Sequence, residues 1–117
     1  MTRIHFKEAF EGLLKVIATQ TTFKVHLIIA FMTMLGAFYF NFNETNWIIL
    51  TLTVSMVLTA EAFNTAIEFF ADYTTKKRNN SIKLVKDVSA GAVMITVITS
   101  VIIGLILFYP KLLILLK

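Results

Sequence analysis

Apolar and polar positions follow two different rhythms along this chain. Over residues 2–18, Ile4, Phe6, Phe10, Leu13, Leu14 and Ile17 recur at roughly helical spacing, with Arg3, Lys7, Glu8, Glu11 and Lys15 between them. That pattern predicts an amphipathic helix at about 2–18, suited to lying in a membrane interface. The alternative is an ordinary bundle helix. From there the rhythm gives way to long apolar runs. Val25 to Asn43 and Val88 to Pro110 contain no Asp, Glu, Lys or Arg, and Thr45 to Ala60 continues through Glu61 to Ala71 with only two acids. A helix needs about 20 apolar residues to cross the hydrocarbon core. Backbone amides in lipid must be satisfied within their own segment. The three runs therefore predict membrane-spanning helices at about 22–41, 46–72 and 82–110. The β-branched stretch Val93 to Ile98 would suggest a strand in water; lipid overrides that preference.

The expected fold class is an all-α membrane protein, one domain over 1–117, with an interfacial N-terminal helix and three spans. Composition agrees. Of the 117 residues 57% are hydrophobic and 15% charged, and the mean hydropathy is +0.78. A soluble domain carries about 25% charged residues. With no cysteine, disulfides and thiolate metal sites are excluded. No secretory signal is expected within Met1 to Gln20, because Glu8 and Glu11 interrupt it. No internal repeat is visible.

The net charge of +4 points to a membrane face rather than to nucleic acid once the cations are placed. Arg3, Lys7, Lys15 and Lys24 precede the first span, and Lys76, Lys77, Arg78, Lys83 and Lys86 separate the second from the third. The Asn41 to Asn46 turn has none, and the tail has Lys111 and Lys117. This asymmetry predicts a cytoplasmic N-terminus and a cytoplasmic 74–82 loop. Trp47 and Tyr109 then fall where outer interface anchors belong.

The candidate chemistry lies in acids that a span should not contain. Glu61, Asn64, Glu68 and Asp72 are spaced i, i+3, i+7 and i+11, which sets them on one helix face. Phe63, Ile67, Phe69 and Phe70 cover much of the rest. Counted from Trp47, Glu61 lies roughly 21 Å into the membrane. A buried carboxylate there costs on the order of 2.5–3.5 kcal/mol and needs a metal ion, a cation, a proton or water. For Asp72, pairing with Lys83, Lys86 or Arg78 near the interface is an equally open reading. Two oxygen donors beside a lysine suit Mg²⁺ with a nucleotide, and a carboxylate beside a lipid hydroxyl could take its proton. A proton relay or ion site would look similar. There is no Walker-type loop, no Gly-rich kinase loop and no His-Glu-x-x-His zinc site. His26 reads as a packed or headgroup-facing residue, His5 as a surface one.

These residues also carry a resemblance. Ala60-Glu61-Ala62-Phe63-Asn64-Thr65-Ala66-Ile67-Glu68 resembles the Glu-x-x-Asn-(Ser/Thr)-Ala-Ile-Glu signature of the small prokaryotic diacylglycerol and undecaprenol kinases. Lys86-Asp87, followed by Ala90 to Val93, is similar to the segment that opens their third span. The resemblance covers nearly the whole chain. It implies a homotrimer with active sites shared between protomers, using ATP and Mg²⁺. It implies Glu61 as general base, Glu68 as metal ligand and Asn64 as its support. Lys86 and Asp87 would contact the nucleotide, with Asp72 nearby. Gln20 would occupy the second metal-ligand position, where the family often has Glu; it keeps an oxygen but no charge. Thr22 and Lys24 replace the family's Asn and Arg. Lys77-Arg78-Asn79 lacks the acid and histidine of some members, yet its basic charge could still attract phosphates.

The leading expectation is thus an ATP- and Mg²⁺-dependent kinase of a membrane lipid alcohol, diacylglycerol or undecaprenol, at the cytoplasmic membrane face. The Leu107 to Lys111 ending is similar to members acting on undecaprenol. The alternatives are a proton- or ion-coupled small transporter, whose sites also use intramembrane acids, and a catalytically impaired protein of the kinase fold, suggested by Gln20.

Overall fold

A computed structural model describes residues 5–74 and 79–117. They form four helices: α1 Phe6–Thr19, α2 Thr21–Tyr39, α3 Glu44–Thr74 and α4 Asn80–Leu116. The basic cluster Lys76, Lys77 and Arg78, like Arg3 and Ile4, lies outside the described residues. The last three helices are each long and apolar enough to cross a membrane. The most apolar window of α4 has mean hydropathy 2.6, yet only 11% of it is buried against the rest of the chain. Such bare apolar surface calls for lipid or further protein around it.

The turns follow from local chemistry. Gln20 is extended and breaks α1 from α2 while its N–H still bonds the Val16 carbonyl at 2.8 Å. At the other end of α2, Asn41 takes a left-handed φ of 55°, which asparagine tolerates better than most residues. Two bonds close that end: Phe42 N–H to the Ala37 carbonyl at 3.1 Å and Asn41 N–H to the Phe38 carbonyl at 3.2 Å. This is the paired pattern of a Schellman ending. Asn43 caps α3, its side chain accepting from the Asn46 N–H at 2.8 Å. Asn79 caps α4 in the same way, accepting from the Ile82 N–H at 2.8 Å.

α4 extends beyond both ends of the span expected at about 82–110. Pro110 lies inside the helix, which continues to Leu116. Proline removes the N–H that would bond the Ile106 carbonyl and crowds that carbonyl with its ring, a local cost that the helix absorbs. The apolar run Leu112 to Leu116 still favours internally bonded backbone in an apolar setting.

α3 is the centre of the molecule. It packs most extensively along α4, then against α2, while α1 leans on α2 and α3. Ala37, Phe42, Leu50 and Leu107 form a buried cluster beside the Asn41 to Asn46 turn, with Phe40, Trp47 and Phe108 against it. The Phe42 and Phe108 rings lie 4.8 Å apart and Phe40 meets Phe108 edge-on at 6.1 Å. Gly36 leaves room for that ring: a Cβ there would come within 3.1 Å of Phe108 Cε1. No residue of α1 is buried, and Phe6 and Phe10 are highly exposed. The packed aromatic end holds the helices together, so that the polar face of α3 is presented at the opposite end.

Candidate active site

The polar face of α3 meets α4. Asn64 sits at their contact and is held from both sides. Its Nδ2 donates to Glu68 Oε1 at 3.4 Å, and its Oδ1 accepts from the Ser89 hydroxyl at 2.8 Å. Those two partners fix which way the amide points. Ser89 is 7% exposed and sits one turn inward from Lys86. It was not among the residues singled out from sequence. The available signal was a lone hydroxyl among Val88, Ala90 and Gly91.

Glu61 is 3% exposed, one of only a few buried polar residues. One turn on, the fully buried Thr65 donates its hydroxyl to the Glu61 backbone carbonyl at 3.0 Å, leaving the carboxylate untouched. Glu61 Oε2 is the one buried side-chain oxygen or nitrogen without a hydrogen-bond partner among the described residues. His26 Nε2, from α2, approaches it to 3.6 Å. The sequence suggested a packed or headgroup-facing His26. It is packed, and what it faces is Glu61. No pattern along one helix could have shown this, because the contact joins two helices.

The rim is ionic. Lys86 of α4 pairs with Asp72 of α3 across the mouth of the site. Lys83 pairs with Asp87 one helical turn on, at 2.6 Å. The interfacial-pairing reading of Asp72 therefore matches what it touches, and Lys86 and Asp87, expected at the nucleotide, each have a partner within the chain. Gln20 lies at the α1–α2 corner, its amide donating to Thr19 Oγ1 at 3.4 Å. Among the described residues no three His, Asp or Glu side chains converge as a metal cage. Magnesium does not need one: it takes one or two carboxylates and completes its shell with phosphate oxygens and water. Glu68 fits that demand, since Asn64 engages one of its oxygens, Oε1, and leaves the other open.

The arrangement thus combines a buried carboxylate with a free oxygen, a second carboxylate open to a cation, and paired lysines at the rim. That is the equipment to take a proton from a hydroxyl and to steady phosphates. Comparison with known proteins points the same way. The prokaryotic diacylglycerol kinase family model matches residues 7–108. The undecaprenol kinase of Bacillus subtilis is 34% identical over 107 residues, covering 92% of this chain and 87% of that protein. The diacylglycerol kinase of Synechocystis sp. is 32% identical over 111 residues, covering 94% of this chain but 63% of that longer protein. With a family match across most of its length and a relative of this identity, the chain is a lipid kinase belonging to the prokaryotic diacylglycerol kinase family.

Proposed function

We propose that the protein transfers the γ-phosphate of ATP to the hydroxyl of a membrane lipid alcohol at the cytoplasmic face of the cell membrane, with Glu61 as the proton acceptor. The observation that carries this is the buried Glu61 carboxylate with an unpartnered oxygen. A carboxylate in an apolar span is expensive, and a substrate hydroxyl is a donor for the oxygen that His26 does not approach. The lipid oxygen attacks the γ-phosphorus, the bond to the β-phosphate oxygen breaks, ADP leaves, and the hydroxyl proton passes to Glu61. Phosphoryl transfer depends chiefly on positioning and charge neutralisation. Asn64, fixed by Ser89, holds the Glu68 carboxylate in place. Glu68 would hold Mg²⁺ together with nucleotide phosphates, Gln20 adding a neutral oxygen, and the ion would neutralise charge on the transferred group. Lys86 and Asp87 would meet the nucleotide, with Asp72 releasing Lys86 to it.

Undecaprenol is the favoured alcohol. The relative that this chain covers almost throughout is named an undecaprenol kinase, and the Leu107 to Lys111 ending agrees. α1 would lie in the interface with Phe6 and Phe10 in lipid, and the uncovered apolar faces of the spans would leave room for a homotrimer. A transporter accounts for the buried acid but not for the match to a kinase family. The test is a competition: purified protein in bilayers with ATP, Mg²⁺ and equal amounts of undecaprenol and diacylglycerol. Undecaprenyl phosphate is expected to dominate. Absence of any phosphorylated lipid from an intact, folded sample would overturn the proposal.

A further inference from the structure

A buried carboxylate oxygen needs a donor, and the bonds found for the polar side chains on this face of α3 go elsewhere. The Thr65 hydroxyl goes to the Glu61 backbone carbonyl at 3.0 Å. The Asn64 amide goes to Glu68, the Ser89 hydroxyl to Asn64 and the Lys86 ammonium to Asp72. The side chain that brings a ring nitrogen toward Glu61 Oε2 is His26. Its side chain is 16% exposed, that of Glu61 4%, and Nε2 stands 3.6 Å from Oε2. An N–H···O bond forms at about 2.7–3.2 Å, so a side-chain adjustment of well under 1 Å closes it. Active-site bonds of this kind are commonly long before substrate arrives. His26 also lines a cavity of about 300 Å³ together with Ala30, Thr33, Thr53, Val57 and Ser100.

We propose that His26 is a positioning residue for the reaction. Its Nε2–H donates to Glu61 Oε2 and fixes the carboxylate plane, leaving the other oxygen to receive the hydroxyl proton. This rests on Glu61 as the proton acceptor. His26 acts through Glu61 and does not itself exchange the substrate proton. A misplacement of about 1 Å at a reacting group can cost up to about 100-fold in rate, which sets the scale of the effect.

The experiment compares steady-state kinetics of the full-length protein in bilayers, varying MgATP and the lipid alcohol, for His26→Ala, His26→Gln, Glu61→Gln and the double variant His26→Ala with Glu61→Gln. His26→Ala should lower kcat by about 10–100-fold and leave KM for MgATP unchanged. His26→Gln keeps an amide N–H near the Nε2 position and should restore most of the loss. Imidazole, small enough for the emptied site above the cavity, should partly rescue His26→Ala. In the Glu61→Gln background, His26→Ala should cost nothing further, because residues acting as a unit are not additive. Wild-type kcat in His26→Ala beside a large loss in Glu61→Gln overturns the role of His26 alone. Equal losses from His26→Ala in both backgrounds overturn it too. Full turnover in Glu61→Gln overturns the assignment of Glu61, and this one with it. Should His26→Ala not fold, His26→Asn takes its place: its shorter reach should lower kcat where His26→Gln does not, and equal rates for the two overturn the proposal.

Discussion

Ser89 of α4 donates to Asn64 of α3 at 2.8 Å, and this bond joins the two helices at the level of the acidic face of α3. Because Asn64 also donates to Glu68, the orientation of one buried hydroxyl on α4 is transmitted to a carboxylate on α3. Ser89→Ala removes the donor and leaves Asn64 Oδ1 unsatisfied. The loss should be about 1 kcal/mol of stability, read as a lower melting temperature in detergent. Freed from Ser89, the amide can turn and Glu68 loses its support, so the Mg²⁺ midpoint of activity should rise. An unchanged melt and an unchanged midpoint would show that the bond does neither.

At the rim, Lys86 and Asp72 are 38% and 64% exposed. An ion pair that wet is worth at most about 1 kcal/mol after solvent screening. Asp72→Asn should therefore change stability little. It should also leave Lys86 unpaired and ready for phosphate. Lys86→Met should instead raise KM for ATP several-fold, since it removes the cation itself. If Asp72→Asn impairs nucleotide binding as strongly as Lys86→Met, the two act as one binding unit.

Gly36 faces Phe108 in the aromatic cluster at the other end of the bundle. Alanine is favoured over glycine in a helix by about 1 kcal/mol, but its Cβ would stand 3.1 Å from Phe108 Cε1. Phe108 packs against Phe40 and Phe42 and borders the cavity of about 300 Å³, so it can yield only by turning out of that aromatic packing. Overpacking of this kind costs about 1–3 kcal/mol, so the clash wins. Gly36→Ala should lower the melting temperature. In a Phe108→Leu background the same substitution should become neutral or stabilising.

Much of this was legible along the chain. Charge-free runs marked α2, α3 and α4, since lipid leaves the backbone few choices. The face of Glu61, Asn64, Glu68 and Asp72 follows from helical spacing alone. What was not legible lies between helices. His26 reaches Glu61 across α2 and α3, and Ser89 reaches Asn64 across α3 and α4. Periodicity within one helix says nothing about which turn of a neighbour it meets. The charge-free run that marks the third span ends at Pro110, before Lys111, whereas the helix continues to Leu116, since a charge count along the chain does not set where backbone bonding stops.

Gln20→Glu would add a charge where the family often has one. If Gln20 faces the cation held by Glu68, the substitution should lower the Mg²⁺ concentration for half-maximal activity, because hard cations reward additional carboxylates. Without metal, the new charge would sit near Glu68 and should destabilise the protein, an effect that Mg²⁺ with nucleotide reverses. Melts with and without Mg²⁺·nucleotide, beside a Mg²⁺ titration of activity, would read both. An unchanged midpoint would mean that Gln20 does not reach the metal.

The central claim is that a buried glutamate takes the proton of a lipid hydroxyl. Its most direct test is lipid kinase turnover of Glu61→Gln, measured in the same bilayers as wild type together with nucleotide affinity. Gln fills the same space and cannot accept that proton. Turnover should fall by about 10²–10⁴-fold while MgATP affinity stays near the wild-type value. Wild-type turnover in Glu61→Gln, or a loss of MgATP affinity that matches the loss of rate, would contradict the account.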